Sequence, residues 1–158
     1  MKLTSLEEYG LRCLVELGRG GEGSSVTIAE VSRREGISAP NVAKIMRILR
    51  RAGLVTSTRG QAGGYVLARK PEEIKVSDVL AALGGRFYDQ GFCDKHKGVA
   101  RLCTHLPDCS IRPVLRQIQD AVDQVLSALT LQSLMRSEAE VQATVTSPRA
   151  IALPLHHS

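Results

Sequence analysis

The chain has 158 residues with 21 basic and 16 acidic side chains, a formal charge of +5. That length suits one domain, or a small domain with an appendage, and buries roughly two-thirds of the unfolded surface without disulfides. A hydrophobic content of 43% excludes global disorder, no apolar run reaches the roughly 20 residues of a membrane span, and Glu7 and Glu8 come too early for a secretion signal. These features predict a cytoplasmic protein with no membrane partner. In that reducing compartment clustered cysteines serve as metal ligands or redox groups more often than as bridges.

Leu6, Tyr9, Cys13, Leu14 and Leu17 recur in steps of three and four, the apolar face of a first helix. Ser5 with Glu8 reads as its capping box, and the glycines from Gly18 to Gly23 end it. Thr27 and Glu30 repeat the box before a short helix to about Glu35. Gly36 stops that helix, Ile37 is apolar, and Ser38 caps a further helix over Ala39–Ala52 with Val42, Ile45, Met46 and Leu49 buried. Pro40 is tolerated in its first turn, where amides lack helical partners. Two short β-branched runs, Leu54–Thr58 and Gly64–Leu67, flank the loop Arg59-Gly60-Gln61-Ala62-Gly63 and predict a hairpin. Ser77 caps a helix burying Val79, Leu80 and Leu83. Further on, Ile111, Leu115, Ile118, Val122, Val125 and Leu129 are spaced 4, 3, 4, 3, 4, the heptad seam of a helix that pairs with another. Thr130 caps a last short helix from Leu131 to about Glu138.

The pattern predicts a mainly α chain with a small β-hairpin. Residues 1–84 form a winged helix-turn-helix unit, 85–110 a cysteine-bearing loop, 111–138 the dimerisation helix and a short following helix, and 139–158 a mobile tail.

Charge is concentrated on that first unit. Residues 30–70 hold nine basic and two acidic side chains, a net +7, which leaves −2 for the rest of the chain. Such a block is an electrostatic footprint for a polyanion. Helix, tight turn, basic helix and hairpin together point to double-stranded DNA. The second helix fits the major groove, with Ser38, Ala39, Pro40 and Asn41, then Ala43, Lys44 and Arg47, facing base edges and phosphates. Arg59, beside Gly60, reaches the minor groove. The glycine-rich loop lacks the Gly-Lys-Ser/Thr ending of a phosphate cradle. With no placed nucleophile–base pair and no acid–base carboxylate pair, no enzyme is predicted.

Cys93, Cys103 and Cys109 share one loop, with nine and then five residues between them. Three clustered thiols suit soft ligation, by an iron–sulfur cluster (2Fe–2S or 4Fe–4S) or by zinc; the alternative is three unliganded thiols. His96 and His105 lie in the same loop and either ligate or are solvated. Cys13 stands apart on the apolar face of the first helix, as a small buried hydrophobe.

Met1-Lys2-Leu3-Thr4, Ile28-Ala29-Glu30-Val31, Gly36-Ile37-Ser38, Leu49-Arg50-Arg51-Ala52-Gly53-Leu54-Val55, the wing Arg59-Gly60-Gln61-Ala62-Gly63-Gly64-Tyr65-Val66-Leu67, Asp78-Val79-Leu80, the three cysteines and Leu131 resemble the winged-helix regulator family that includes IscR, NsrR and RirA. The resemblance covers about residues 1–136. It implies a homodimeric transcription regulator whose long helices pair and whose loop cysteines hold an iron–sulfur cluster responsive to oxygen, nitric oxide or iron. Three positions depart from the pattern. The first cysteine gap is longer than usual, Arg112 stands where IscR-like members place a ligand His, and Arg12 stands where a variant adds one. Glu8 occupies the position at which NsrR-like members supply a carboxylate ligand from the other subunit, with His105 and His96 as alternatives. The rival readings are a cluster-free thiol or zinc regulator of the same fold, and an iron–sulfur electron carrier, against which the basic window argues.

Overall fold

The structure, a computed structural model, describes residues 3–60, 63–89, 91–95, 103, 105 and 108–146. Helix α1 (Ser5–Arg19) starts from Thr4, not Ser5. The Thr4 side chain accepts the Leu6 N–H, and the Glu7 carboxylate reaches back to the Thr4 N–H at 3.0 Å. The capping box is therefore Thr4–Glu7, and the Ser5–Glu8 box is corrected. Starting one residue earlier puts Glu7 at the third helical position and releases Glu8 to the outer face. The Thr4 hydroxyl also donates to the Glu7 carboxylate and holds it below the ordinary carboxyl range.

Helix α2 (Ile28–Glu35) opens on the expected Thr27–Glu30 box. It ends at Gly36, whose φ of +66° is left-handed and would strain a side-chain-bearing residue. Helix α3 (Ala39–Arg51) follows, with Ser38 at the cap position but without a side-chain capping bond. Val42, Ile45, Met46 and Leu49 are buried as the spacing predicts. Strands β1 (Val55–Ser57) and β2 (Tyr65–Leu67) pair antiparallel, Val55 opposite Leu67 and Ser57 opposite Tyr65. Val26 adds a bridge to β2, exchanging hydrogen bonds of 3.0 and 2.9 Å with Tyr65. Gly64 is where that bridge passes: a Cβ there would sit 2.7 Å from the Val26 carbonyl oxygen. Residues 61 and 62 of the loop lie outside the described residues.

A 3₁₀ turn (Pro71–Glu73) leads to α4 (Val76–Leu83). Ser77 lies inside α4 instead of capping it. Lys75 takes the cap position because it is held in a bridge to Thr130. The Val76 N–H donates to the Leu129 carbonyl at 3.0 Å, and the Leu131 N–H donates to the Ile74 carbonyl at 2.8 Å. Between these strokes the chain has run through α5 (Phe92–Lys95) and α6 (Ile111–Ser127) and returned as α7 (Leu131–Leu134). Leu131 is buried in the same core as Leu14, Leu17 and Leu49.

Helix α7 ends at Leu134, short of Glu138, and α8 (Glu138–Val145) occupies the first part of the span 139–158 read as a mobile tail. Ser137 and Glu140 form its capping box, the same signal that marked α2, so this start was legible. Residues 147–158 lie outside the described residues.

The seam of α6 divides. Ile111, Ile118 and Val125 are 54%, 41% and 38% exposed, and Val114, absent from the predicted seam, joins them at 57%. Leu115 and Val122 are half-buried instead. Leu129 is buried at the return to α4 and does not belong to the open stripe. Among the described residues no helix is long and apolar enough to cross a membrane.

Gly64→Ala should destabilise the chain by about 1–3 kcal/mol, because the added methyl forces Val26 and β2 apart. Denaturant unfolding measures this, and an unchanged midpoint would show that the bridge gives way freely.

Candidate DNA-reading surface and thiol site

Two ion pairs set the helix-turn-helix on α1. Arg12 Nε lies 2.8 Å from Glu35 Oε2, and its guanidinium also donates to the Glu35 carbonyl, the last of α2. Arg34 lies 2.6 Å from the largely buried Glu16. Removing one partner of such a half-buried pair strands the other charge. Arg34 is thus spent on packing, and the basic window offers a polyanion less free charge than its formal +7. Sequence spacing gave no sign of this, because Glu16 lies outside the window.

On α3, Ser38, Ala39, Pro40, Asn41, Lys44 and Arg47 are exposed, and Ala43 is half-buried. Arg59 and Gly60 are exposed in the wing. The Thr58 N–H donates to the Gly64 carbonyl at 2.9 Å and the Gly64 N–H to Thr58 Oγ1 at 3.1 Å, closing the hairpin below Arg59. The candidate DNA contacts therefore stand on one rigid helix and one short, tied loop.

All four cysteines are free. Cys13 is fully buried, and burial pushes its thiol up to about 12, so it stays protonated at neutral pH within the apolar core. Cys93, Cys103 and Cys109 are half-buried. Among the described residues no three His, Cys, Asp or Glu side chains are gathered within reach of one metal ion. The donor chemistry of the three thiols suits a soft metal group, while the described residues do not assemble a complete ligand set. His105 is exposed, and His96 lies outside the described residues. Glu8 is 58% exposed at its side chain and pairs with Arg12 at 3.2 Å, one turn on.

The loop begins under restraint that sequence reading missed. The Tyr88 N–H donates to Gln119 Oε1 at 2.9 Å, and Gln119 Nε2 donates to Asp123 Oδ1 at 2.9 Å. Asp123 also pairs with Arg86. The Tyr88 hydroxyl lies 3.8 Å from Cys93 Sγ. Burial first, and the neighbouring Cys93 next, raise the Tyr88 hydroxyl above its ordinary pKa. The available signal was a second stripe on α6, Leu115, Gln119, Val122 and Leu126, with a glutamine at an inward position.

A helix-turn-helix with a hairpin wing, a basic α3 and a long helix bearing an open apolar stripe defines a winged-helix DNA-binding regulator. A profile of the Rrf2 family, described as "Iron-dependent Transcriptional regulator", matches residues 3–137. The chain is 37% identical over 136 residues to protein rrf2 of Nitratidesulfovibrio vulgaris, covering 86% of this chain and 88% of that one. It is 32% identical over 135 residues to the HTH-type transcriptional regulator IscR of Aliivibrio salmonicida, covering 85% and 77%. Its fold is similar to that of CymR, the global cysteine regulator of B. subtilis, with a TM-score of 0.67 at 28% identity over 85% of this chain and 96% of that one. The chain belongs to the Rrf2 family of transcriptional regulators. The predicted fold class and family resemblance hold, and the chain is a DNA-binding regulator and not an enzyme.

Lys44→Ala should reduce the slope of log affinity against log salt by about one, as loss of one phosphate contact requires, and Arg59→Ala should weaken operator binding. Fluorescence anisotropy over a salt series checks both; unchanged binding in the two variants would move the DNA surface elsewhere.

Proposed function

We propose that the chain acts in the cytoplasm as a homodimer whose affinity for a double-stranded DNA operator is set by an iron–sulfur cluster, 2Fe–2S or 4Fe–4S. Cys93, Cys103 and Cys109 of one subunit hold it, with Glu8 from the other subunit as fourth ligand and His105 or His96 as alternatives. One observation carries this reading: three free, partly exposed thiols follow a loop base pinned to α6, the helix that also bears an open apolar stripe. The family's description as iron-dependent supports it. Glu8 has left the capping box and stands open on α1, as a ligand offered across an interface must. A bound cluster would supply iron whose electrons and ligands change with redox state, nitric oxide or iron supply.

The protein's own part is mechanical. Ile111, Val114, Ile118 and Val125 pair the α6 helices of two subunits. Ser38, Ala39, Pro40, Asn41, Ala43, Lys44 and Arg47 of each α3 read base edges and phosphates, and Arg59 with Gly60 enters the minor groove. Two reading heads must match a helical repeat of roughly 34 Å, so a small shift between subunits changes affinity. A second reading, a cluster-free regulator whose thiols oxidise or bind zinc, draws on the likeness to CymR, the global cysteine regulator, and on the three free thiols.

Anaerobically purified protein should show visible absorption with matching iron and sulfide. Cys93→Ala, Cys103→Ala and Cys109→Ala should each abolish it, and Cys13→Ala should keep it. Colourless protein without iron, or with stoichiometric zinc, would favour the second reading. Replacing Ile118 and Val125 with Glu should leave each protomer folded, because both are already 41% and 38% exposed, while charge at the pairing surface removes the dimer and operator binding. Sedimentation of a stable dimer in that variant would place the interface on another face.

A further inference from the structure

Tyr88 stands where the cysteine-bearing segment leaves the helix-turn-helix core. It is 7% exposed. Its ring meets that of Phe92 with centroids 5.3 Å apart, so α5 folds back on it and brings Cys93 to its hydroxyl. The 3.8 Å separation is within reach of a large, polarisable sulfur. A phenylalanine would fill the same space, so packing does not call for the oxygen, whereas a buried hydroxyl needs a polar partner. The sulfur of Cys93 is that partner. A thiolate has no proton to give, so toward an ionised Cys93 the phenol is the donor. Tyr88 is fixed from behind as well, through its amide to Gln119 and through Gln119 to Asp123.

We propose that Tyr88 is a positioning residue for Cys93: its hydroxyl hydrogen-bonds the sulfur, fixing it beside α6 and drawing charge from it. The hydrogen bond stands without any metal. Its effect on a bound group rests on the reading of Cys93 as a ligand. A donor on a ligating sulfur stabilises the more negative, reduced state and raises the reduction potential.

The test compares wild type with Tyr88→Phe. In the metal-free protein, Raman spectra at mildly acidic pH resolve the cysteine S–H stretches, and Cys93→Ser assigns the Cys93 band. Tyr88→Phe should move that band and leave those of Cys13, Cys103 and Cys109 in place; an unmoved Cys93 band overturns the proposal. In anaerobically reconstituted protein, Tyr88→Phe should still take up the cluster but at a more negative midpoint potential, with unchanged circular dichroism. A wild-type potential in that variant overturns the charge-withdrawing role. If the wild type takes up no cluster, the cluster reading falls, and the S–H band still decides the place of Tyr88.

Discussion

Two backbone hydrogen bonds hold the architecture together: Val76 N–H to the Leu129 carbonyl, and Leu131 N–H to the Ile74 carbonyl. They return the chain to the helix-turn-helix core after its excursion through α5 and α6. That return adds to the contact of α6 with α4 and to the restrained start of the cysteine segment. With it, Leu129 is buried at the joint and Leu131 packs into the core that positions α3. Close-packed interiors transmit displacement instead of absorbing it. The open stripe of α6 and the reading face of α3 are therefore two surfaces of one packed body.

Charge divides along the same line. Arg12 on α1 and Arg34 on α2 tie the two helices together through the more deeply buried Glu35 and Glu16. The arginines and lysine of α3 and the wing face outward. Arg12 also joins Glu8 on the surface of α1 to the last carbonyl of α2, next to the turn at Gly36. One guanidinium, with its charge form favoured by Glu35 and Glu8, thus links an exposed carboxylate to the hinge of the reading unit.

Much of this was legible in the sequence because it is written in local rules. The capping box of Thr27 and Glu30, the left-handed glycine at 36 and the 3–4 rhythm of α3 each fix an element from within a few residues. What escaped reading was set by distant partners. Ser77 looks like a cap until Lys75 is seen bound to Thr130. Glu8 looks like half a capping box until Thr4 takes Glu7. Gly64 serves the wing by making room for Val26, nearly forty positions back in the chain. The four-residue box at Ser137 was local and still went unread, because α8 has no apolar face to draw attention to it. On the thiol side the sequence puts three cysteines in one loop, but it carries no sign of Tyr88, whose hydroxyl lies 3.8 Å from Cys93 Sγ, or of Gln119 behind it, since neither residue type signals a thiol partner.

The division of the α6 seam carries the largest consequence. A 4-3-4-3 spacing cannot say whether alternate positions face one partner or two. In α6 they face two: Ile111, Ile118 and Val125 point to open solvent, while Leu115, Gln119 and Val122 point into the chain's own body. The inner face is also where Tyr88 and, through Asp123, Arg86 attach the cysteine-bearing segment. The attachment behind Cys93 and the open stripe thus lie on opposite sides of one helix. Behind Cys93, Tyr88 meets α6 through Gln119, and the far end of α6 is held where Leu129 accepts from Val76 and Leu131 donates to Ile74. The apolar stripe that α6 leaves exposed therefore lies on the side away from that attachment.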